Sequence, residues 1–124
     1  MATATQDEKE KLKKELERSE EIELTVIGRT TGRKSSRPVW FVLEGDRLYL
    51  LPVAGSDSQW FKNVLKNPRI TISVGGQAGE FTAEAVRDPE IVASVADKFR
   101  KKYGASEVKK YYSKFDVAVI VDLK

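Results

Sequence analysis

Between Thr25 and Val42 the chain carries no acid, yet its middle stretch, Arg29-Thr30-Thr31-Gly32-Arg33-Lys34-Ser35-Ser36-Arg37, holds four cations, four hydroxyls and one glycine. Nothing local neutralises these cations. Guanidinium forks, an ammonium and hydroxyls on a glycine turn, with its backbone N–H groups, make a suitable cradle for a phosphate. Taken alone, the segment is equally compatible with a solvated hairpin turn, and basic loops also bind nucleic acid.

What is missing narrows the chemistry further. The 124 residues include no cysteine and no histidine. That excludes disulfides, thiolate nucleophiles and His-dependent hydrolytic triads, and leaves zinc only carboxylate ligands, an uncommon set. Reactivity is therefore expected to belong to a bound organic cofactor, with the protein supplying position and electrostatics. No metal site is expected. Charge is unevenly spread: residues 1–23 carry five basic and eight acidic side chains, which leaves the rest of the chain at +6. A positive body favours an anionic partner. No apolar run approaches the length of a membrane span, so a cytoplasmic protein without a transmembrane segment is expected.

The elements that must position these residues follow from periodicity. Residues 1–22 read as a charged helical N-terminal segment, with Leu12 and Leu16 its one large apolar pair, expected to be solvated and loosely held. Residues 23–124 read as the main domain. Short β-like runs occupy Glu23 to Thr31, Arg37 to Glu44 and Arg47 to Val53, the last two joined by Gly45-Asp46 as a hairpin. On Arg37 to Glu44, Val39, Phe41 and Leu43 share one face while Trp40 and Val42 share the other. Two apolar faces place this strand between packed layers. A short helix carries Trp60, Phe61, Val64 and Leu65 and stops at Asn67-Pro68. Strands Arg69 to Val74 and Glu80 to Val86 flank a loose turn from Gly75 to Gly79.

Asp88-Pro89-Glu90 then starts the best-marked helix, with Ile91, Val95, Phe99 and Tyr103 at every fourth position and Gly104 as its stop. A short helix from Ser106 to Ser113 and a strand from Phe115 to Leu123 complete an α+β domain, an antiparallel barrel of about six strands with flanking helices. A chain this short buries about two-thirds of its unfolded surface, so a groove or a shared subunit interface is easier to build than a deep cavity. Both monomer and homodimer fit.

Two motifs at compatible spacing, Thr31-Gly32-Arg33-Lys34-Ser35 and Gln59-Trp60-Phe61-Lys62-Asn63-Val64-Leu65-Lys66-Asn67-Pro68, resemble the deazaflavin-dependent nitroreductase family over roughly Leu24 to Leu123. The resemblance implies a split β-barrel like that of pyridoxamine-phosphate oxidases, with coenzyme F420, or alternatively FMN, in a groove. It implies that Gly32, Arg33, Lys34 and Ser35 meet the phosphate end, with Arg37 nearby. Val53, Ala54 and Gly55 would follow the strand that lines the ring, and Trp60 and Asn63 would close the groove. Tyr103, Tyr111 and Tyr112 lie where the family places substrate-facing tyrosines; the periodicity of Tyr103 favours a core position, which leaves Tyr111 and Tyr112 as the catalytic candidates. The sequence departs from the family at Ser36, where glycine is usual, and over Val53 to Ser58, which lacks the usual Ser and Lys.

The implied activity is hydride transfer from reduced F420 to a small electron-poor acceptor, a quinone, nitroaromatic or enone. An FMN reductase and a non-catalytic binder of cofactor, haem or lipid are the alternatives. Nucleic acid is not an expected partner, because Phe41, Tyr49 and Phe81 sit in strands that read as buried and leave no exposed stacking platform.

Overall fold

The computed structural model describes residues 6–124. Of the N-terminal segment, residues 1–5 lie outside that range. Helix α1 (Gln6–Glu17) leads into strand β1 (Glu21–Ile27), and β2 (Lys34–Trp40), β3 (Val42–Glu44) and β4 (Arg47–Leu50) follow. Helix α2 (Gln59–Lys66) precedes β5 (Arg69–Val74) and β6 (Gln77–Val86), and α3 (Pro89–Tyr103), α4 (Ala105–Tyr111) and β7 (Ala118–Asp122) complete the order.

The strands form one antiparallel sheet in the order β2-β1-β5-β6-β7-β4-β3. Its two outermost strands, β2 and β3, are consecutive in the chain and separated only by Phe41. The sheet is thus curled, and one extended stretch runs from its first edge to its last. The fold is a split β-barrel of the α+β class, as the sequence predicts. Seven strands are observed among the described residues instead of about six, because the run read as a single strand over Arg37 to Glu44 changes partners at Phe41. β2 pairs with β1 while β3 pairs with β4. A second difference lies at the Gly75-Gly76 turn, where β6 starts at Gln77 and takes Gly79 into its interior. Gly79 fits because a side chain there would collide with Phe81 and Leu12.

The two apolar faces of the β2–β3 run separate two cores. Val39, Phe41 and Leu43 belong to the barrel interior with Leu24, Phe61 and Ile72. Trp40 and Val42 join the layer under α3 and α4, with Val92, Val95, Phe99 and Tyr112. Helix α3 begins and ends where the sequence places it, capped by Asp88 accepting from the Glu90 N–H at 2.9 Å and stopped at Gly104. Its buried stripe is Val92, Val95, Ala96 and Phe99, while Ile91 faces outward.

α1 is not loosely held. Leu12 and Leu16 are only 2% and 1% exposed and form part of the barrel core, and Lys13 bonds Asp46 at 3.0 Å. Two leucines at helical spacing are a thin stripe, but they pack into the barrel core beside Phe81 and Gly79. Deleting residues 1–20 should therefore cost about 4 kcal/mol or more, the loss of two buried leucines. Chemical denaturation of the truncated chain measures it; an unchanged midpoint would contradict the packing.

The strand break at Phe41 is stitched by α3. The Tyr103 hydroxyl accepts from the Phe41 N–H at 3.1 Å, and Lys102 donates to the Phe41 carbonyl at 2.8 Å. With that carbonyl engaged by Lys102, the single phenolic proton can go to the Glu20 carbonyl at 2.7 Å. Tyr103 is thus a structural residue, and its ring also stacks on Trp40 at 4.2 Å. Tyr103→Phe keeps the stack but strands a buried N–H, so urea unfolding should register a loss of about 1–3 kcal/mol. Burial first, then Glu20 and Glu21, push the Tyr103 phenol up to about 12 against a partial opposing effect of the Phe41 N–H. Because the folded state holds this proton more tightly, the associated stability is complete below pH 10 and is lost as pH rises toward about 12. The Phe variant should lose that part of the alkaline slope.

Candidate functional site

The basic segment folds as a tight loop between β1 and β2. The Gly28 N–H donates to the Arg33 carbonyl at 2.7 Å, and the Gly32 N–H donates to the Gly28 carbonyl at 3.0 Å. Gly32 has φ of 72° there, a left-handed conformation that favours glycine. The Arg33 N–H is also engaged, by Thr31 Oγ1 at 3.2 Å. Three N–H groups, those of Gly28, Gly32 and Arg33, are consequently already paired inside the loop. The work of holding an anion falls on side chains.

Those side chains divide into two groups. Arg29 is committed: its guanidinium donates to Asn63 Oδ1 at 2.8 Å and Gln59 Oε1 at 2.7 Å, and its N–H also donates to Asn63 at 3.1 Å. Asn63 therefore clamps the loop to α2, a positioning task that its surface location alone does not announce. Arg33, Lys34 and Arg37, by contrast, are exposed and form no ion pair among the described residues. Ser35 is exposed beside them, and Ser36 bonds Thr25 at 2.6 Å.

β2 leads from this loop to a groove of about 360 Å³ lined by Glu21, Pro38, Val39, Trp40, Leu51, Val53, Trp60, Tyr111 and Tyr112. Four residues at about 3.3 Å each put Lys34 roughly 13 Å from Pro38 at its wall. Trp60 is only 3% exposed yet forms part of the lining, so it serves core and groove together. Tyr111 is half-exposed and meets Trp40 nearly perpendicular, with ring centroids 5.5 Å apart. Tyr112 is buried, and its hydroxyl makes no hydrogen bond among the described residues. Desolvation, then Tyr103, pushes its pKa well up, so it is a neutral donor at ordinary pH.

The 53–58 stretch is braced from behind. Ser113 donates to the Val53 carbonyl at 2.9 Å and Ser58 Oγ accepts from the Ala54 N–H at 2.9 Å. Gly55, with φ of 56°, lies against Asp116, whose carboxylate also accepts from the Ser56 N–H at 2.9 Å. Any Cβ at Gly55 would meet Asp116 and Lys114, so this glycine is required for close packing. Ser56 and, more weakly, Lys114 hold the Asp116 carboxyl below its usual range.

The structure thus brings Val53, Trp60, Tyr111 and Tyr112 to one groove, places Arg33, Lys34, Ser35 and Arg37 at the loop and along the strand leading to it, and puts Gly32, Gly55 and Asn63 in supporting positions. Ala54 lies half-buried between Val53 and Gly55. Sequence reasoning overlooked Glu21, Pro38, Leu51 and, as a groove wall, Trp40. The signal for Trp40 was available in the two apolar faces of its strand. Among the described residues no group of acids could hold a metal ion, and no helix is long and apolar enough to cross a membrane.

Solved structures share the fold. An F420-H2 dependent reductase (FDR-A) aligns with a TM-score of 0.65 at 20% identity, covering 83% of this chain and 94% of that one. HutZ, a heme storage protein from Vibrio cholerae, aligns at 0.69 with 16% identity, covering 91% and 87%. A Listeria innocua protein described as a candidate pyridoxamine 5′-phosphate oxidase aligns at 0.68 with 17% identity, covering 91% and 90%. Their names span a reductase, a storage protein and an oxidase, so the likeness establishes the split barrel and leaves the activity to the site itself. Residues 12–120 match the family model described as "Uncharacterized protein conserved in bacteria (DUF2255)", and it is to this family that the chain belongs.

Proposed function

We propose that the protein is an F420-dependent reductase whose basic loop holds the phosphate end of the cofactor and whose aromatic groove receives the acceptor. The observation that carries this reading is the pairing of uncommitted cations, Arg33 and Lys34 at the start of β2 and Arg37 further along it, with an apolar, aromatic-walled groove at the strand's far end. The roughly 13 Å of strand from Lys34 to Pro38 leaves room for the cofactor's arm and ring between the loop and the acceptor groove. Reduced F420 supplies a hydride when bound.

The chain's own residues do the rest. Arg33 and Lys34 bind the phosphate by charge-assisted hydrogen bonds, with Arg37 behind them. Trp40, Trp60 and Leu51 exclude water and hold a flat acceptor, a quinone, nitroaromatic or enone, in a fixed orientation. Tyr112, neutral and unpartnered, donates a hydrogen bond to the acceptor oxygen that gains charge. The exposed lysines Lys101, Lys109 and Lys110, none in an ion pair among the described residues, favour the acidic tail that distinguishes F420 from FMN. FMN is the second reading, since its phosphate fits the same loop.

Titrating the protein with F420 and with FMN, each followed by its own absorbance and by quenching of Trp40 and Trp60, tests the reading. Saturable binding is expected for both, tighter for F420 and weaker as salt rises. Binding of neither removes the proposal; tighter binding of FMN replaces the cofactor.

A further inference from the structure

The groove has an electrostatic character opposite to that of the loop beside it. Among its nine lining residues there is one carboxylate, Glu21, and no cation, while four are aromatic: Trp40, Trp60, Tyr111 and Tyr112. Glu21 stands opposite Trp40 in the β1–β2 register, is exposed, and forms no ion pair among the described residues. Glu21 belongs to the acidic stretch at the start of the chain, and the β1–β2 pairing carries that negative charge to the aromatic wall.

We propose that the groove selects, among flat ligands of one shape, those that carry a positive charge. Aromatic faces attract organic cations through their quadrupole, and a carboxylate at the rim adds a direct Coulomb attraction. Trp40 and Tyr111 meet close to a right angle, at 79°, so the groove presents aromatic walls in two orientations. Tyr111 already attracts a cation, since the Lys110 ammonium lies 5.3 Å from its centroid.

The nearest opposing charge on the wall strand is Arg37. It lies three residues from Trp40, about 10 Å along the strand, whereas Glu21 is directly across from Trp40. Glu20 and Glu21 lie close enough to the Tyr103 phenol stacked on Trp40 to add, after burial, to the rise of its pKa. Two lysines also face this wall: Lys102 lies 5.0 Å from the Tyr103 centroid with its ammonium engaged by the Phe41 carbonyl, and Lys110 lies over Tyr111, while Glu21 is the one charged side chain that lines the groove itself.

This selectivity rests on the reading of the groove as the acceptor site, but its test needs no cofactor. Calorimetric titration of the protein with N-methylquinolinium, its neutral isostere 1-methylnaphthalene, and the anion 1-naphthoate compares three charges on nearly one shape. The cation should bind about tenfold more tightly than the neutral compound, equivalent to about 1.4 kcal/mol, and the anion most weakly. Glu21→Gln should remove about three- to tenfold of the cation's affinity and leave the neutral compound unchanged. Raising salt should shrink the preference.

Equal affinity of cation and isostere, or a Glu21→Gln variant with undiminished preference, overturns the proposal. F420 binding, measured on the same sample, separates the two readings. Cation preference without F420 binding sinks only the reductase reading. F420 binding without cation preference sinks only the selectivity.

Discussion

Replacing Arg33 and Lys34 together with alanine will weaken F420 binding by about 100-fold or more while barely moving the melting temperature. Each cation that hydrogen-bonds a charged phosphate is worth about 1.5–3 kcal/mol, so losing two removes about 3–6 kcal/mol of binding. The fold has little at stake, because both side chains are exposed and neither forms an ion pair among the described residues. The loop is held by the backbone of Gly28, Gly32 and Arg33, which alanine preserves. Surface changes of this kind usually stay within about 0.5 kcal/mol, a shift of about 2 °C for a domain of this size. Arg29→Ala is the informative contrast. It breaks the clamp to Gln59 and Asn63, so it should lower stability as well as affinity. Unchanged cofactor affinity in the double variant would remove the central assignment.

Tyr112→Phe will slow single-turnover hydride transfer to a quinone by about 100-fold, with cofactor affinity little altered. A positioned hydrogen-bond donor at a developing oxyanion contributes about 100- to 1,000-fold in rate. Tyr112 fits that role because its hydroxyl has no partner among the described residues, whereas Tyr103 uses its own at the strand break. Tyr111→Phe should have the smaller effect, since that ring is half-exposed. The same step should be nearly flat from about pH 5.5 to 7.5 once cofactor ionisation is subtracted. No histidine or cysteine is present, and burial moves the Tyr112 phenol further from neutrality. A steep profile that survives both Phe substitutions would point to another donor, Glu21 first, as the carboxylate that lines the groove.

Where local chemistry is strong, sequence and structure coincide. Helix α3 is delimited by Asp88, Pro89 and Gly104, and the structure uses all three. The Gly45-Asp46 hairpin and the Asn67 stop of α2 are equally local. The reading fails where a choice depends on distant partners. Nothing within Arg37 to Glu44 says that the strand must switch neighbours at Phe41, because the switch is made by β1 on one side and β4 on the other. Leu65 and Ile91 satisfy their helical stripes yet are exposed. Asn63 looked like a groove residue, and only its contact with Arg29, 34 positions away, reveals the clamp.

Residue types and short spacings alone say that this protein has no histidine, cysteine or disulfide chemistry, that an unneutralised basic turn precedes a strand apolar on both faces, and that alternating strands with capped helices would close a barrel. These are properties of residue type and short-range spacing, which any chain conformation inherits. Only the tertiary structure decided which cations remain uncommitted and which aromatic residues share a surface. Pairing β2 with β1 puts Glu21 across from Trp40, and the end of α4 brings Tyr111 and Tyr112 beside Trp60. Those meetings depend on sheet closure, which places residues far apart in the chain within reach of one ligand, and no local pattern encodes where a curled sheet will close.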